Sequence, residues 1–307
     1  MKHRLEHAAV QLVRGVVRVL PYVAVRQLGA VMGLLVYLLD RVHRRVADTN
    51  LATAFPSRDA AERRALTRAM FVHFGRLLLE LLKFSTLDER GIRARLEFEG
   101  IERAESAYAQ GKGVLFFTGH FGYWEMHAIG HGLEMQPIGV LARALDNPYL
   151  NTLLERVRGR TGNFVIYRHG AIRKVLRTLA SGQGVAMLID QHMHSPDAIY
   201  VDFFERPAAT TSMLAALALR TGAPVVPVFA LPLEGGRYRL IYEHAVAPPQ
   251  ADSPDAVGEF TQRCTDVLEM YVRRYPSLWL WMHRRWRDAP LPAETPGMFP
   301  PAKAEER

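Results

Sequence analysis

Apolar residues recur through the first forty positions too densely for an ordinary surface helix, while Arg14, Arg18 and Arg26 interrupt them too often for a clean membrane span. The longest uncharged stretch, residues 27–39, is shorter than the roughly 20 residues a spanning helix needs. A pair of helices split near Pro21 and lying in a membrane interface satisfies both facts, with arginines at headgroup level and Leu, Val and Met in the acyl region. A pair of core helices packed on the rest of the chain remains the alternative. Residues 41–50 are basic and polar and lead to the turn Phe55-Pro56-Ser57. Ser57 or Asp59 then offers a side-chain acceptor to cap a helix over residues 60–84, which carries Leu66, Met70, Phe74, Leu77, Leu78 and Leu81 at helical spacing.

Beyond a charged connection over residues 90–100, with room for a short strand, compact apolar runs alternate with helical periods. The runs at 114–118, 138–142, 164–167, 185–189 and 225–231 read as strands, with an edge strand at 237–243. Helices are expected after a loop within 119–132, and over 148–159, 171–180, 213–220 and 255–275. This alternation predicts an α/β fold with a mixed, largely parallel sheet flanked by helices, preceded by the N-terminal helical membrane-docking element. The implied organisation is apolar helices over 1–56, a catalytic domain over 57–288, and a disordered Pro-, Ala- and Glu-rich tail over 289–307.

Charge narrows the partners. Thirty-nine Lys and Arg against 31 Asp and Glu leave the chain at +8, which suits a polyanion, either nucleic acid or an anionic membrane with its phosphorylated lipids. A GC-rich genome that favours Arg codons would give the same excess. The arginines are spread along the chain and no nucleic-acid module is recognisable, so nucleic acid is not expected. No cleavable signal is evident at the N-terminus, and the single cysteine, Cys264, excludes an intramolecular disulfide framework and a Cys-based zinc cluster.

The segment from Val114 to Glu125 brings His120 to the carboxyl end of a buried strand, where ligands gather in such sheets. A histidine base needs one free ring nitrogen and an acceptor for the N–H on the other. Glu125, one turn into the following helix, is placed to be that acceptor, and Gly119 and Gly122 leave the backbone room to bend and a substrate room to approach. No Ser or Cys nucleophile stands nearby in a recognisable elbow, so the pair points to direct proton removal from a hydroxyl; a satisfied buried His has the same spacing. Asp190 ends another buried strand and needs partners if ionised; it either orders the site, binds a sugar hydroxyl or caps a turn. His192-Met193-His194 lacks a third metal ligand, and no metal is expected. Trp279, Trp281 and Trp286 with His283, Arg284, Arg285 and Arg287 form an aromatic and basic cluster, suited equally to a membrane interface and to a packed segment covering the sheet.

Several ordered blocks of the sequence together resemble the bacterial lipid A biosynthesis acyltransferases, within the wider glycerolipid acyltransferase group that shares a His-x4-Asp/Glu motif. Besides His120 and Glu125 these are Asn50-Leu51 with Phe55-Pro56, Arg143 with Asn147-Pro148, Asp190-Gln191, Val201-Asp202-Phe203-Phe204, Pro207-Ala208-Ala209-Thr210, Gly222-Ala223-Pro224-Val225-Val226-Pro227, and the Trp279-Leu280-Trp281-Met282-His283-Arg284-Arg285-Trp286 ending. Ser277-Leu278 departs from the family's usual Glu-Gln, and His192 stands where Asn is frequent. The resemblance implies a glycerolipid-acyltransferase-like fold and His120 as general base oriented by Glu125, with Arg143, Asp190, Gly122 and Arg284 meeting substrate. Arg143 would hold an acceptor phosphate or the oxyanion, unless it forms a surface salt bridge. It further implies a thioester donor, acyl carrier protein or coenzyme A, with no resident cofactor, and a phosphorylated glycolipid acceptor at the cytoplasmic face of an inner membrane. Acylation of another membrane lipid, such as a phosphatidylinositol mannoside, an ornithine lipid or a glycerol lipid, and non-catalytic lipid binding are the alternatives.

Overall fold

The computed structural model describes residues 1–167, 170–195 and 198–287, so the tail expected over 289–307 lies outside the described residues. Helices α1 (Lys2–Val19) and α2 (Tyr22–Leu39) break at Pro21, as the sequence predicts. The polar residues from 41 onward form a further helix, α3 (Arg41–Ala54), because the Asp40 carboxylate accepts the His43 N–H as its cap. Helix α4 (Ala60–Phe84) starts in a capping box: Asp59 accepts from Ala61 and Glu62 N–H, and the Glu62 carboxylate accepts from Asp59 N–H. The chain continues through α5 (Glu89–Arg93), β1 (Leu96–Glu99), α6 (Ile101–Tyr108), β2 (Val114–Thr118), α7 (Trp124–Glu134), β3 (Ile138–Ala142), α8 (Pro148–Gly159), β4 (Phe164–Tyr167), α9 (Ala171–Ala180) and β5 (Gly184–Leu188). A two-stranded antiparallel hairpin, β6 (Ala198–Asp202) and β7 (Pro207–Thr211), precedes α10 (Met213–Thr221), β8 (Val225–Pro232), β9 (Tyr238–Tyr242) and α11 (Ala256–Arg274).

The main sheet has seven strands in the order β1-β9-β8-β2-β5-β3-β4. The five from β8 to β4 are mutually parallel, and β9 turns antiparallel to β8. The sequence expectation of an edge strand at 237–243 is corrected: β9 is covered on its far side by β1, which pairs with it in parallel. The charged connection supplies the true edge, where Arg239 reaches Glu97 and Glu99 across the pair; such charges blunt an otherwise sticky edge. Strand β2 lies at the centre and is buried at every position. Its Leu115 and Phe117 enter the core shared with α9, α10 and α11, while Val114 and Phe116 enter the one shared with α6 and α7. Helices on both faces explain why this strand reads as an uninterrupted apolar run. Ala47, Leu51 and Ala54 of α3 belong to the larger of these cores.

Glycines set how closely α2 and α4 approach. A Cβ on Gly33 would stand 2.2 Å from the Phe71 carbonyl oxygen, and one on Gly75 would stand 2.3 Å from that of Gly29. Near the same seam, Arg26 of α2 forms an ion pair at 3.2 Å with the buried Glu80 of α4, whose carboxylate also accepts the Tyr238 hydroxyl. Helix α1 is fastened at its end, where Lys83 Nζ donates to the Arg18 and Leu20 carbonyls, a placement that favours a cation. Of α2, only Tyr22, Val25, Gly29 and Gly33 are buried. The remaining face exposes Val23, Leu28, Val31, Leu35, Leu38 and Leu39, and by length and composition the helix could cross a membrane, with a mean hydropathy of 1.7.

Because these contacts are backbone against backbone, Gly33→Val and Gly75→Val should each destabilise the protein by about 1–3 kcal/mol or more. The measurement is the denaturant midpoint in detergent; midpoints equal to wild type would show that α2 does not seat on α4 here.

Candidate active site

The parallel register of β2 and β5 builds the site. Thr118 lies opposite Leu188, so two residues further along each strand His120 and Asp190 emerge side by side at the carboxyl edge of the sheet. Asp190 Oδ1 accepts His120 Nδ1–H at 2.8 Å, and Oδ2 accepts the His120 backbone N–H at 2.6 Å. Trp279 Nε1–H donates to the same Oδ2 at 2.8 Å. Burial alone would raise the Asp190 carboxyl, but the His120 charge and these three N–H donors hold it at about 2. The His120 imidazole is lowered by burial and raised more strongly by Asp190, with a further contribution from Glu125, so that it titrates above its ordinary 6.5. With Nδ1 donating to Asp190, Nε2 is the acceptor, and the Gln191 side-chain amide approaches it at 3.3 Å from the exposed side. The His120 ring also meets Trp124 edge to face, centroids 5.2 Å apart.

The acceptor on Nδ1 is therefore Asp190, which corrects the sequence expectation of Glu125. Glu125 is buried at the start of α7, where Arg158 of α8 engages both its oxygens, Nε donating to Oε2 at 2.9 Å and Nη2 to Oε1. Its negative charge acts on His120, but its hydrogen bonds go to Arg158. Proximity in sequence favours Glu125 at the start of α7; the ring instead turns toward the end of the neighbouring strand.

The loop carrying His120 has little spare backbone. Gly119 must be glycine because a Cβ there would stand 2.9 Å from Asp190 Oδ2. Gly122 has φ +56°, and a Cβ would stand 2.1 Å from the Ala230 carbonyl oxygen. Its N–H donates to Leu278 O at 2.9 Å and its carbonyl accepts from His73 Nε2 at 3.2 Å. The glycine thus serves the turn, one of the two uses that the sequence suggests for it; the other, room for a substrate, is not what its neighbours require. Phe121 N–H donates to Gly119 O and Tyr123 N–H to Ala230 O, so the N–H groups of residues 120–123 are all committed. Arg143, expected at the acceptor phosphate or oxyanion, is an exposed residue paired with Asp146 at 2.7 Å. Its neighbour Asn147 caps α8 and donates to the His3 carbonyl, tying α1 to the domain.

The C-terminal segment backs the loop. Trp279 bridges Phe121, and Leu280 N–H donates to the His120 carbonyl at 3.1 Å. Trp279, Trp281 and Arg285 are at most 1% exposed, so the expectation that left this cluster open between membrane interface and packed cover resolves to cover for these three. Buried Arg285 donates to the Ala209 carbonyl, at 2.5 Å, and to Thr210 Oγ1. Asn50 of α3 holds the segment from the other side, donating to the carbonyls of Trp281 at 2.8 Å and His283 at 2.7 Å. His283, brought down to about 4 chiefly by burial, is neutral and accepts the His192 N–H on Nε2 at 2.7 Å. Arg284 stays exposed. Trp279 as an Asp190 donor, Arg158 as the Glu125 partner and Asn50 as a clamp were not read from the sequence; pairing the two strand ends in parallel register is the signal that would have joined Asp190 to His120.

Comparison with known proteins places the chain in a family. Residues 5–288 match the bacterial lipid A biosynthesis acyltransferase family. The chain is 28% identical over 274 residues to the lipid A biosynthesis lauroyltransferase of Escherichia coli (strain K12), covering 88% of each chain. It is 26% identical to the lipid A biosynthesis myristoyltransferase of the same strain, over 87% of this chain and 81% of that one. A phosphatidylinositol mannoside acyltransferase of Mycolicibacterium smegmatis is 23% identical over 72% of both. With the family match running through almost the whole described chain, the protein belongs to the bacterial lipid A biosynthesis acyltransferase family and is an acyltransferase.

Proposed function

We propose that the protein moves a fatty acyl chain from a thioester, on acyl carrier protein or coenzyme A, to a hydroxyl of a lipid A precursor or similar phosphorylated glycolipid. The observation that carries this reading is the His120 ring, fixed through Nδ1 on Asp190 with Nε2 turned to the open side of the sheet edge. Nε2 takes the proton of the acceptor hydroxyl as its oxygen attacks the thioester carbonyl carbon. The resulting imidazolium is held by Asp190, and the tetrahedral intermediate then expels the thiolate, which takes back the proton from Nε2. Since the loop N–H groups are committed, the oxyanion donor falls to a side chain. Gln191 is suited: a substrate hydroxyl bound at Nε2 displaces its amide, which becomes available to the oxyanion. Glu125 supports the imidazolium by its charge and fixes α7 to α8 through Arg158.

The apolar faces of α1 and α2 favour work at a membrane, with Leu12 and Val16 of the first and Leu35 and Leu38 of the second exposed. In this reading that surface works at the cytoplasmic face of an inner membrane, and membership of a family that acylates membrane lipids supports it. The printed names of the mycobacterial relatives make a phosphatidylinositol mannoside the second acceptor to assay.

Transfer of labelled acyl groups from acyl carrier protein to a lipid A precursor in detergent micelles tests the proposal. His120→Ala should lose about 10²- to 10⁴-fold in rate with stability near wild type, whereas Glu125→Ala should lose activity and stability together, because Arg158 is left buried without its partner. Transfer that survives His120→Ala would sink the mechanism. The base must be unprotonated to act, so kcat/KM should rise with pH through an inflection above 6.5; Asp190→Asn removes the charge that raises it and should move that inflection down. An unmoved inflection would show that Asp190 does not hold the imidazolium. Leu35→Glu combined with Leu38→Glu should reduce cosedimentation with anionic phospholipid vesicles while far-UV circular dichroism is unchanged; undiminished cosedimentation would remove α2 from the membrane contact.

A further inference from the structure

A cavity of about 360 Å³ opens between α3 and the C-terminal segment. Its apolar wall is Val42, Val46 and Met282, and its polar wall includes Arg284, Arg287, His192 and His283. No acidic side chain among the described residues lines it. Arg284 is exposed, and no hydrogen bond or ion pair engages it among the described residues. Two guanidinium groups on one concave wall with no acid among the described lining residues make a site for an anion, and the forked geometry of Arg matches phosphate oxygens.

Two connections tie this cavity to the rest of the molecule. Towards the sheet, His192 stands two residues beyond Asp190 and its N–H is held by His283, while Leu280 N–H holds the His120 carbonyl. The cavity therefore adjoins the reacting edge through one short run of backbone on each side. Away from the sheet, Val42 is exposed, and so are Leu35, Leu38 and Leu39, a few residues before it at the end of α2. A lipid whose chains follow these residues would bring its headgroup to the arginines.

We infer that this cavity binds a phosphate group of a substrate of the acyl transfer, held by Arg284 and Arg287 between the apolar face of α2 and α3 and the His120 loop. The inference rests on the acyltransferase reading of His120 and adds the chemistry of the recognised group. The phosphate belongs either to the glycolipid acceptor or to the phosphopantetheine arm of the thioester donor, and both present the same dianionic or monoanionic oxygens to the two guanidinium groups.

Equilibrium binding separates these sources without requiring turnover. Full-length protein in nonionic detergent micelles is titrated with a phosphorylated glucosamine-disaccharide lipid and with the same lipid after phosphatase treatment, with free phosphopantetheine as competitor. Wild type should bind the phosphorylated lipid about tenfold tighter or better, and Arg284→Gln should abolish most of that preference. Arg173→Gln, an exposed change on α9, controls for net charge and should keep it. If phosphopantetheine instead binds with an affinity that Arg284→Gln abolishes, the site stands and the donor is the source. Equal affinity for both lipids together with no phosphopantetheine binding, or a preference that persists in Arg284→Gln, overturns the inference. Because the readout is affinity, failure of acyl transfer in the labelled assay would strike the functional reading alone, and a phosphate preference that persists in Arg284→Gln while wild-type transfer is intact would strike the cavity alone.

Discussion

The contact between His120 and Asp190 is the constraint around which the site is organised. A buried carboxylate is tolerated only when its charge is answered, and here the answer comes from three N–H groups, two of them on His120 and one on Trp279. That requirement orients the imidazole, commits the first N–H of the loop, and places the indole that seals the sheet edge. It also demands glycine at 119, where any side chain would press on the same carboxylate. Chemistry and packing are thus one arrangement: the group that supports a proton on His120 is the group that fixes where the C-terminal segment lies.

That segment in turn depends on elements distant in sequence. Asn50 of α3 holds two of its carbonyls, and Phe55 packs its ring on Trp281. Arg285 reaches the β6–β7 hairpin at Ala209 and Thr210, spending a buried charge where hydrogen bonds can satisfy it. Phe203 of the hairpin region meets Trp279 and Trp286. The blocks that resemble the family are scattered along the chain, yet several of them converge on this wall behind His120. Their shared property is position: each contributes a polar bond or an aromatic face to the same few ångströms of structure.

The N-terminal helices answer a different demand. Glycine-to-backbone contact between α2 and α4 needs no polar group on the buried side, leaving the opposite face free to be apolar. Such small-residue packing suits a helix with lipid on its other side. The cavity at Val42 is walled by α3, the helix that follows this apolar face, and by the arginines of the C-terminal segment.

The sequence by itself determined the elements. Pro21, the Asp59 cap and the uninterrupted apolar run of 114–118 are local statements about backbone and burial, and the structure repeats them nearly residue for residue. It also determined that His120 would stand at the carboxyl end of a buried strand. Tertiary structure alone decided which carboxylate meets that histidine. Asp190 lies seventy positions away and becomes adjacent only through the β2–β5 register, a relation that no spacing along one strand and helix contains. The same holds for β9, expected as an edge strand and covered on its far side by β1. Arg143 and Gly122 were legible as residue types but their uses were not, because an arginine's partner and a glycine's neighbouring carbonyl are set by chain segments that arrive from elsewhere. Periodicity reports what each segment buries; it is silent on what that segment is buried against.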